Sequence, residues 1–491
     1  MRANTFSPKF WRWTALLLSL LCRTCIADDD SSAAPPLQST ADLSKYNLKF
    51  PDAGAAIPEW AGKRADEPFP VREYLESRMP PAKNAADLYL VGLADFNPEL
   101  KWVFPESEQA AQEKRSQKLV DRLNSVIAEI VVNPSLPLPT DAYELLIDTA
   151  PAVKIIDRAQ EVPDCLFLTG MEPNFKLVHA QAANNLSIRA RIELIQAVTP
   201  FDFTQAERTL LRYLRLSRDL RPRGCAIVQL VAILLENSVW NELEKHVLPS
   251  QQLTSEQCDR LLSIINQHQQ TALKFEAEAC RVEYIELGNT FDGLKSGRIK
   301  TEDLDLDWLA RSRINHEMEW STASRLTKKR LSLIGLPLHE AIQLETAAAE
   351  YDSIRDEDVE PNLLSRLVGD KLNHPVVCLF QTASFGEFLE GVCRVRIRLG
   401  AMKCVIAIRR YEINHGQWPV DLLPALREAG INSVPIDEYC GEPLRYRIID
   451  GKPVLYSVGR DKKDDGGFVD WKYGEQPGDM IFGIVTPAAK M

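Results

Sequence analysis

The stretch that decides the fold of the carboxyl-terminal region is R-Y-E-I-N-H-G-Q-W-P from Arg410 to Pro419, followed by L-R-Y-R-I-I-D-G-K-P-V-L-Y-S-V over residues 444–458. Gly416 suits the left-handed position after a helix, and the proline that follows prevents the helix from restarting. The second run holds two β-rich segments around Asp450-Gly451, a pair typical of a two-residue hairpin turn. The pattern predicts a long helix followed by a short antiparallel sheet.

The sequence upstream predicts a mainly helical body. Apolar residues recur at three- and four-residue steps, and Pro- or Gly-bearing turns separate the segments. No fixed repeat period is present, which favours an irregular multi-helix domain over a solenoid. The expected fold is mainly α, an irregular multi-helix domain followed by a small α/β module. The predicted helices cover 107–132, 141–159, 177–198, 203–221, 225–247, a segment that begins at Thr254, and then 275–287, 308–333, 337–351, 385–414 and 421–429. The segment at Thr254 begins with a capping box, which Gln257 completes three residues later.

The amino terminus has the features of a secretory signal peptide. Basic residues precede an apolar run from Trp13 to Leu21, which is far shorter than the ~20 residues that span a bilayer. Cleavage is expected after Ala27, so we expect an exported protein of the periplasm or cell envelope. Two alternatives stay open, a lipidated Cys22 and an uncleaved leader that anchors the chain, and only these would attach the protein to a membrane.

Four regions are predicted along the chain. Residues 1–27 form the signal peptide, and 28–70 form a flexible linker because that stretch is rich in Asp, Ser, Ala and Pro with little periodicity. Trp60 and Phe69 within the linker are candidates for docking on the body. The helical domain covers 71–383, and the long helix plus small sheet covers 384–491.

Composition and cysteine usage set further bounds. A chain of 491 residues is too long for one compact core. The net charge of -11 argues against a general nucleic-acid binder, which needs basic surface to displace counterions. Removal of the leader leaves eight cysteines in a compartment that allows disulfides. Their apolar neighbours favour buried free thiols.

The module resembles the carboxyl-terminal half of the major pseudopilin of type II secretion systems. In that family a long helix ends in a Y-x-x-x-x-G-x-Y/W-P phrase, a proline-aspartate turn precedes the sheet, and an acidic glycine loop follows a Y-S-x-G strand. The residues that match are Tyr411, Gly416, Trp418, Pro419, Pro435, Asp437, Tyr456-Ser457-Val458-Gly459, Asp461, Asp464, Asp465 and Asp479.

The resemblance covers less than a fifth of the chain and has clear departures. The G-F-T-L-x-E phrase of a pseudopilin membrane helix is missing, and a long helical region precedes the module instead. The protein therefore resembles a secreted relative by domain and not a pilus subunit. The whole arrangement is similar to a class of secreted bacterial proteins for which the resemblance implies no activity.

The resemblance also implies a calcium site in the acidic loop. Calcium takes roughly six to eight hard oxygen ligands on a flexible loop. The candidate ligands are Asp461, Asp464, Asp465 and Asp479. Nearby Arg and Lys residues dilute the negative field, and a solvated turn with local Asp hydrogen bonds is the alternative interpretation.

Other chemistry has weaker signals. The sequence has no H-E-x-x-H zinc motif, no G-x-S-x-G nucleophile elbow and no P-loop. Four arginines, Arg208, Arg212, Arg215 and Arg218, share one side of a helix and predict a solvated basic face.

Three functional hypotheses follow. The first is a non-catalytic interaction or scaffold protein with a protein partner in the cell envelope. The second is a hydrolase whose site is assembled between helices, and it predicts a pocket with converging ionisable groups of shifted pKa. The third, from the resemblance alone, is a component of a secretion or pilus-like assembly.

Overall fold

The computed structural model describes residues 45–48, 57–79, 81–132, 138–167, 177–303, 314–341, 377, 385–467 and 478–483. This part of the chain is mainly helical, with a three-stranded antiparallel sheet near the carboxyl end. The predicted fold class is confirmed. The predicted signal peptide lies outside the described residues. Among the helices that are described, none combines the length and the apolar character needed to cross a bilayer.

The helices of the body are α1 (Val71–Ser77), α2 (Ala85–Leu93), α3 (Glu106–Val132), α4 (Thr140–Asp148), α5 (Ala150–Ala159), α6 (Val178–Gln196), α7 (Phe203–Leu220), α8 (Ala226–Glu242), α9 (Ser255–Ala272), α10 (Glu278–Ser296) and α11 (His316–Leu333). The module contains α12 (Phe385–His415), α13 (Leu422–Glu428), β1 (Arg445–Ile449), β2 (Lys452–Ser457) and β3 (Met480–Phe482). Most predicted helices match these bounds within a few residues. Helix α10 continues to Ser296, past the predicted end at 287, and most of the helix predicted over 337–351 lies outside the described residues.

The predicted start of α9 is confirmed. Thr254 Oγ1 accepts the backbone N–H of Gln257 at 3.3 Å, and Gln257 Oε1 accepts the backbone N–H of Thr254 at 3.0 Å. This reciprocal pair satisfies two amide groups that the first helical turn leaves without partners.

The prediction of one helix over 141–159 is wrong, because the chain breaks between α4 and α5. Pro151 has no N–H for a helical bond, and its ring would clash with a carbonyl four residues earlier. Proline is tolerated in the first turn of a helix, and Pro151 occupies that turn of α5. Thr149 at the break donates its hydroxyl to the Leu145 carbonyl at 2.6 Å.

The main core is continuous between the body and the module. Helices α6, α7 and α8 pack against one another at its centre, where Leu186 and Leu235 are fully buried. Helix α12 packs on α8 and α9, and its Leu399, Met402 and Ile406 belong to the same buried cluster. The apolar cluster therefore crosses the predicted boundary at residues 383 and 384.

A smaller core holds part of the stretch predicted as a linker. Trp60 is buried against Tyr284 and Trp320, with ring centroids 6.2 and 5.3 Å away. Its Nε1 donates to Asn289 Oδ1 at 3.0 Å. A Cβ on Gly288 would lie 2.4 Å from the Trp60 ring, so the indole needs glycine there. Phe69 also packs on this core, with its ring centroid 5.8 Å from that of Tyr284, so the expected docking of Trp60 and Phe69 on the body is observed.

The module follows the order predicted for it. Helix α12 ends at His415, and Gly416 has the expected positive φ of 69°. The sheet order is β1-β2-β3, with both pairs antiparallel. Asp450 and Gly451 have φ of 49° and 76°, which matches a type I′ turn and the right-handed twist of the two strands.

Candidate functional site

The Y-S-V-G phrase at the end of β2 is held by one buried carboxylate. Asp437 Oδ1 accepts the hydroxyl of Ser457 at 2.9 Å and the backbone N–H of Tyr439 at 3.1 Å. Its Oδ2 accepts the backbone N–H of Val458 at 2.9 Å. Asp437 has no exposed surface, so these bonds form in a medium that strengthens them. The proline-aspartate turn is thereby tied to the strand.

The acidic loop after β2 folds over the outer face of the sheet. Asp479, just before β3, accepts the backbone N–H of Gly467 at 2.7 Å and that of Asp465 at 3.4 Å. A Cβ on Gly467 would lie 3.0 Å from the side chains of Val454 and Tyr456. This close approach of backbone to sheet buries those two side chains. Burial raises the pKa of Asp479 and outweighs the two N–H donors.

Asp464 links the loop to the strands. Its carboxylate accepts the Tyr456 hydroxyl at 3.0 Å and the Gly466 N–H at 2.9 Å, and it pairs with Arg445 at 3.2 Å and Arg447 at 3.7 Å. Burial alone would raise its pKa, but these donors and cations lower it. Asp461 is separate, and it accepts the backbone N–H of Lys463 at 3.1 Å.

The structure thus places the four predicted calcium ligands on one loop but gives them different partners. Asp464 and Asp479 direct their oxygens at backbone amides, a hydroxyl and guanidinium groups. Over the ranges that the structure describes, no group of three or more His, Cys, Asp or Glu side chains forms a metal-binding arrangement. Calcium binding stays a prediction, and the observed bonds are those of the alternative, a loop closed by local Asp hydrogen bonds.

The opposite side of the module exposes apolar side chains beside β1. Val420 is 85 % exposed and Ile448 is 43 % exposed. The hydroxyl of Tyr446 donates to the carbonyl of Pro419, the residue before Val420, at 2.6 Å, and Tyr446 shares one face of β1 with Ile448. We call Val420, Tyr446 and Ile448 the apolar shelf. The sequence does not predict that this face is exposed, because tyrosine and isoleucine are equally common in strands whose face is covered.

The body contains buried ionisable groups that bear on the hydrolase hypothesis. Glu236 is fully buried, receives a hydrogen bond from Ser217, and lies 2.6 Å from Arg221 and 3.1 Å from His268. Burial alone would raise its pKa, but Arg221 and His268 hold it well below its usual range. Elsewhere, burial raises the pKa of the half-buried Glu286 to about 8.

Two grooves mark the surface, one between the end of α9 and α12 of the module and one on the body. One, of about 470 Å³, is lined by Asn266, Gln269, Gln270, Leu273, Lys274 and Lys403. The other, of about 430 Å³, is lined by Asp157, Gln160, Thr204, Glu207, Arg208, Leu211 and Arg212. Neither Glu236 nor Glu286 is among these lining residues.

The arginine face of α7 is only partly solvated, so that prediction is wrong for Arg212. Its guanidinium is buried and lies 2.9 Å from Asp157 Oδ2 and 2.8 Å from Glu193 Oε2. Arg215 pairs with Asp219 at 2.8 Å, while Arg208 is exposed. Helical spacing alone missed this network because its acidic partners come from α5 and α6.

The described cysteines are free thiols, namely Cys165, Cys225, Cys258, Cys280, Cys393, Cys404 and Cys440. Burial raises the pKa of several of them, for example Cys404 to about 12. A thiol with so high a pKa is a poor nucleophile at neutral pH.

No family model, no curated protein and no solved structure matches this chain. The functional proposal therefore depends on the geometry of the module and of the body.

Proposed function

We propose that this chain is an exported, non-catalytic interaction protein of the cell envelope, and that the module binds its protein partner. The observation that carries the proposal is the apolar shelf beside β1. Exposed apolar side chains grouped next to a strand edge are typical of protein-binding surfaces.

Export is supported by the sequence alone. The basic start, the short apolar run and the small residue at 27 are the parts of a cleavable leader. The expected measurement is a mature chain that begins near Asp28 by mass spectrometry of the exported protein. An intact Met1 would instead favour an anchored chain.

The proposed binding surface can be tested with variants of the full-length exported protein. Val420→Asp and Ile448→Asp each place a charge in the apolar shelf, while Ile147→Asp is the matched control. Ile147 is 72 % exposed on α4, outside the module. All three sites are exposed, so we expect each variant to keep the wild-type melting temperature.

Envelope extract passed over each immobilised protein gives the readout. We expect a partner that the wild type and Ile147→Asp retain equally and that the two shelf variants lose. Equal retention by all four proteins would show that binding, if any, occurs elsewhere.

A further inference from the structure

The register of the hairpin fixes which backbone groups of β1 point away from β2. Ile449 pairs with Lys452 across the two-residue turn, which makes them a hydrogen-bonded pair. The next pair, Ile448 with Pro453, is therefore a non-hydrogen-bonded one, and this fits a proline without an N–H. The pattern alternates, so the N–H and C=O groups of Tyr446 and Ile448 face the other edge of β1.

The beginning of that edge is already paired within the chain. Leu444 donates its N–H to the Pro435 carbonyl at 2.9 Å, and Ile436 forms an antiparallel bridge with Pro443. The bond from Leu444 confirms that the even-numbered residues face outward here. Within the ranges that the structure describes, no further strand covers the edge at Tyr446 and Ile448.

The two faces beside the open edge differ in chemistry. On the inner face, Tyr446 and Ile448 lie side by side along β1, and the Tyr446 hydroxyl reaches the carbonyl that precedes Val420. On the outer face, Arg445 lies between the carboxylates of Asp464 and Asp437, and Arg447 lies 3.7 Å from Asp464. Half of the Arg447 side chain is exposed, at 51 %. A strand added at this edge would meet the apolar side chains of Tyr446 and Ile448 on one face and the half-exposed side chain of Arg447 on the other.

We propose that β1 binds an extended segment of the partner protein as a fourth strand, with apolar and acidic residues alternating along that segment. Its apolar side chains lie against the shelf, and an acidic side chain lies beside Arg447. Opposite charges in neighbouring strands stabilise such a pair, and like charges destabilise it. A second copy of β1 fits poorly, because antiparallel pairing centred on Arg447 sets two arginines against each other. This inference rests on the proposed function, and it specifies the chemistry of the segment that the module would bind.

Synthetic peptides give a direct test with the full-length mature protein. The probe is a fluorescein-labelled peptide of sequence Ser-Val-Glu-Val-Glu-Val-Ser-Gly, and its control carries Lys in place of Glu. Fluorescence anisotropy measures both dissociation constants. We expect the Glu peptide to bind roughly tenfold more tightly than the Lys peptide, since the charge pair changes from attraction to repulsion. Equal binding, or no binding of the Glu peptide, overturns the proposal.

Two protein variants separate edge pairing from simple apolar contact. Ile448→Pro removes the outward N–H but no bond of the hairpin, and proline is tolerated in edge strands. Ile448→Val keeps the N–H and most of the apolar surface. We expect the proline variant to lose the Glu peptide and the valine variant to retain it. Arg447→Glu should reverse the preference between the two peptides.

The outcomes also distinguish this inference from the proposed function. If Ile448→Asp loses the envelope partner and Ile448→Pro retains it, the apolar shelf is still the binding surface. Strand addition is then overturned, because binding does not need the N–H of residue 448. Retention of that partner by both variants contradicts the proposed function as well. A near-wild-type melting temperature of Ile448→Pro is the check that the sheet still folds.

Discussion

At the scale of single residues, the body depends on charges that are buried with their partners. Arg212 lies between Asp157 and Glu193, and Glu193 also pairs with Arg189 at 2.8 Å. Taking such ions out of water costs several kcal/mol each, and only well-placed opposite charges offset that cost. The network therefore stabilises one arrangement of α5, α6 and α7 and penalises packing that separates the ions.

Removal of Arg212 should leave the partly exposed Asp157 without its guanidinium partner and take one of two cations from the buried Glu193, which keeps Arg189. We expect Arg212→Leu to lower the free energy of unfolding by about 2 kcal/mol. The matched control is Arg208→Leu on the same helix, which should change stability by less than about 0.5 kcal/mol because Arg208 is exposed. Urea denaturation measures both. If both variants lowered the free energy of unfolding by a similar amount, the burial of Arg212 would not explain its contribution to stability.

The imidazole of His179 links stability to pH. Its ring is buried and stacks on Phe167 at 4.8 Å. Burial lowers its pKa to about 3 from an ordinary value of 6.5, so the unfolded chain binds this proton more readily than the folded one. Stability should then fall as the pH drops from about 6.5 towards about 3, by about 1.4 kcal/mol per pH unit from this group.

A phenylalanine at this position keeps the stack and removes the titration. We expect His179→Phe to show a flatter dependence of unfolding free energy on pH between about 6.5 and about 3. The wild-type protein, measured in the same buffers, is the reference for the slope. A wild-type slope in His179→Phe would assign the acid sensitivity to other groups.

At the scale of elements, local signals set where helices and turns begin and end. Thr254 and Gln257 start α9, Pro151 starts α5, and Asp450-Gly451 closes the hairpin. Each acts through hydrogen bonds or dihedral angles of its own few residues. Each contribution to the free energy of folding is small, about 1 kcal/mol for a cap. Together these local signals set the bounds of the helices that then pack against one another.

The capping box gives a test at this scale. Thr254→Ala should cost about 1 kcal/mol of stability, because the N–H of Gln257 loses its acceptor at the first turn of α9. Thr254→Ser keeps a hydroxyl and should stay within a few tenths of a kcal/mol of the wild type. Chemical denaturation compares the three proteins, and equal stability of the Ala and Ser variants would mean that solvent caps this helix.

At the scale of the whole molecule, the long helix belongs to both parts of the chain. Its Leu399, Met402 and Ile406 are fully buried in the cluster that also holds the body helices α8 and α9. The helix carries the sheet on the same core, through Leu455 and Phe482. Body and module should therefore unfold together.

A chain that ends at residue 383 lacks α12 and exposes the apolar surfaces of α8 and α9. We expect the shortened protein to bind a hydrophobic dye and to lose near-ultraviolet circular dichroism, as a loosely packed state does. Full-length protein should show one cooperative thermal transition. A shortened chain with a sharp transition of its own would identify the body as an independent domain.

The sequence by itself determined the fold class, most helix bounds, the capping box, the positive φ at Gly416 and the hairpin turn. These features depend on a few neighbouring residues, so periodicity and turn chemistry suffice to predict them. Only the tertiary structure decided that Arg212 is buried, that α12 completes the core of the body, and that β1 lies at an edge of the sheet that the described residues form. Burial and pairing depend on segments distant along the chain, and no local pattern specifies which of them will meet.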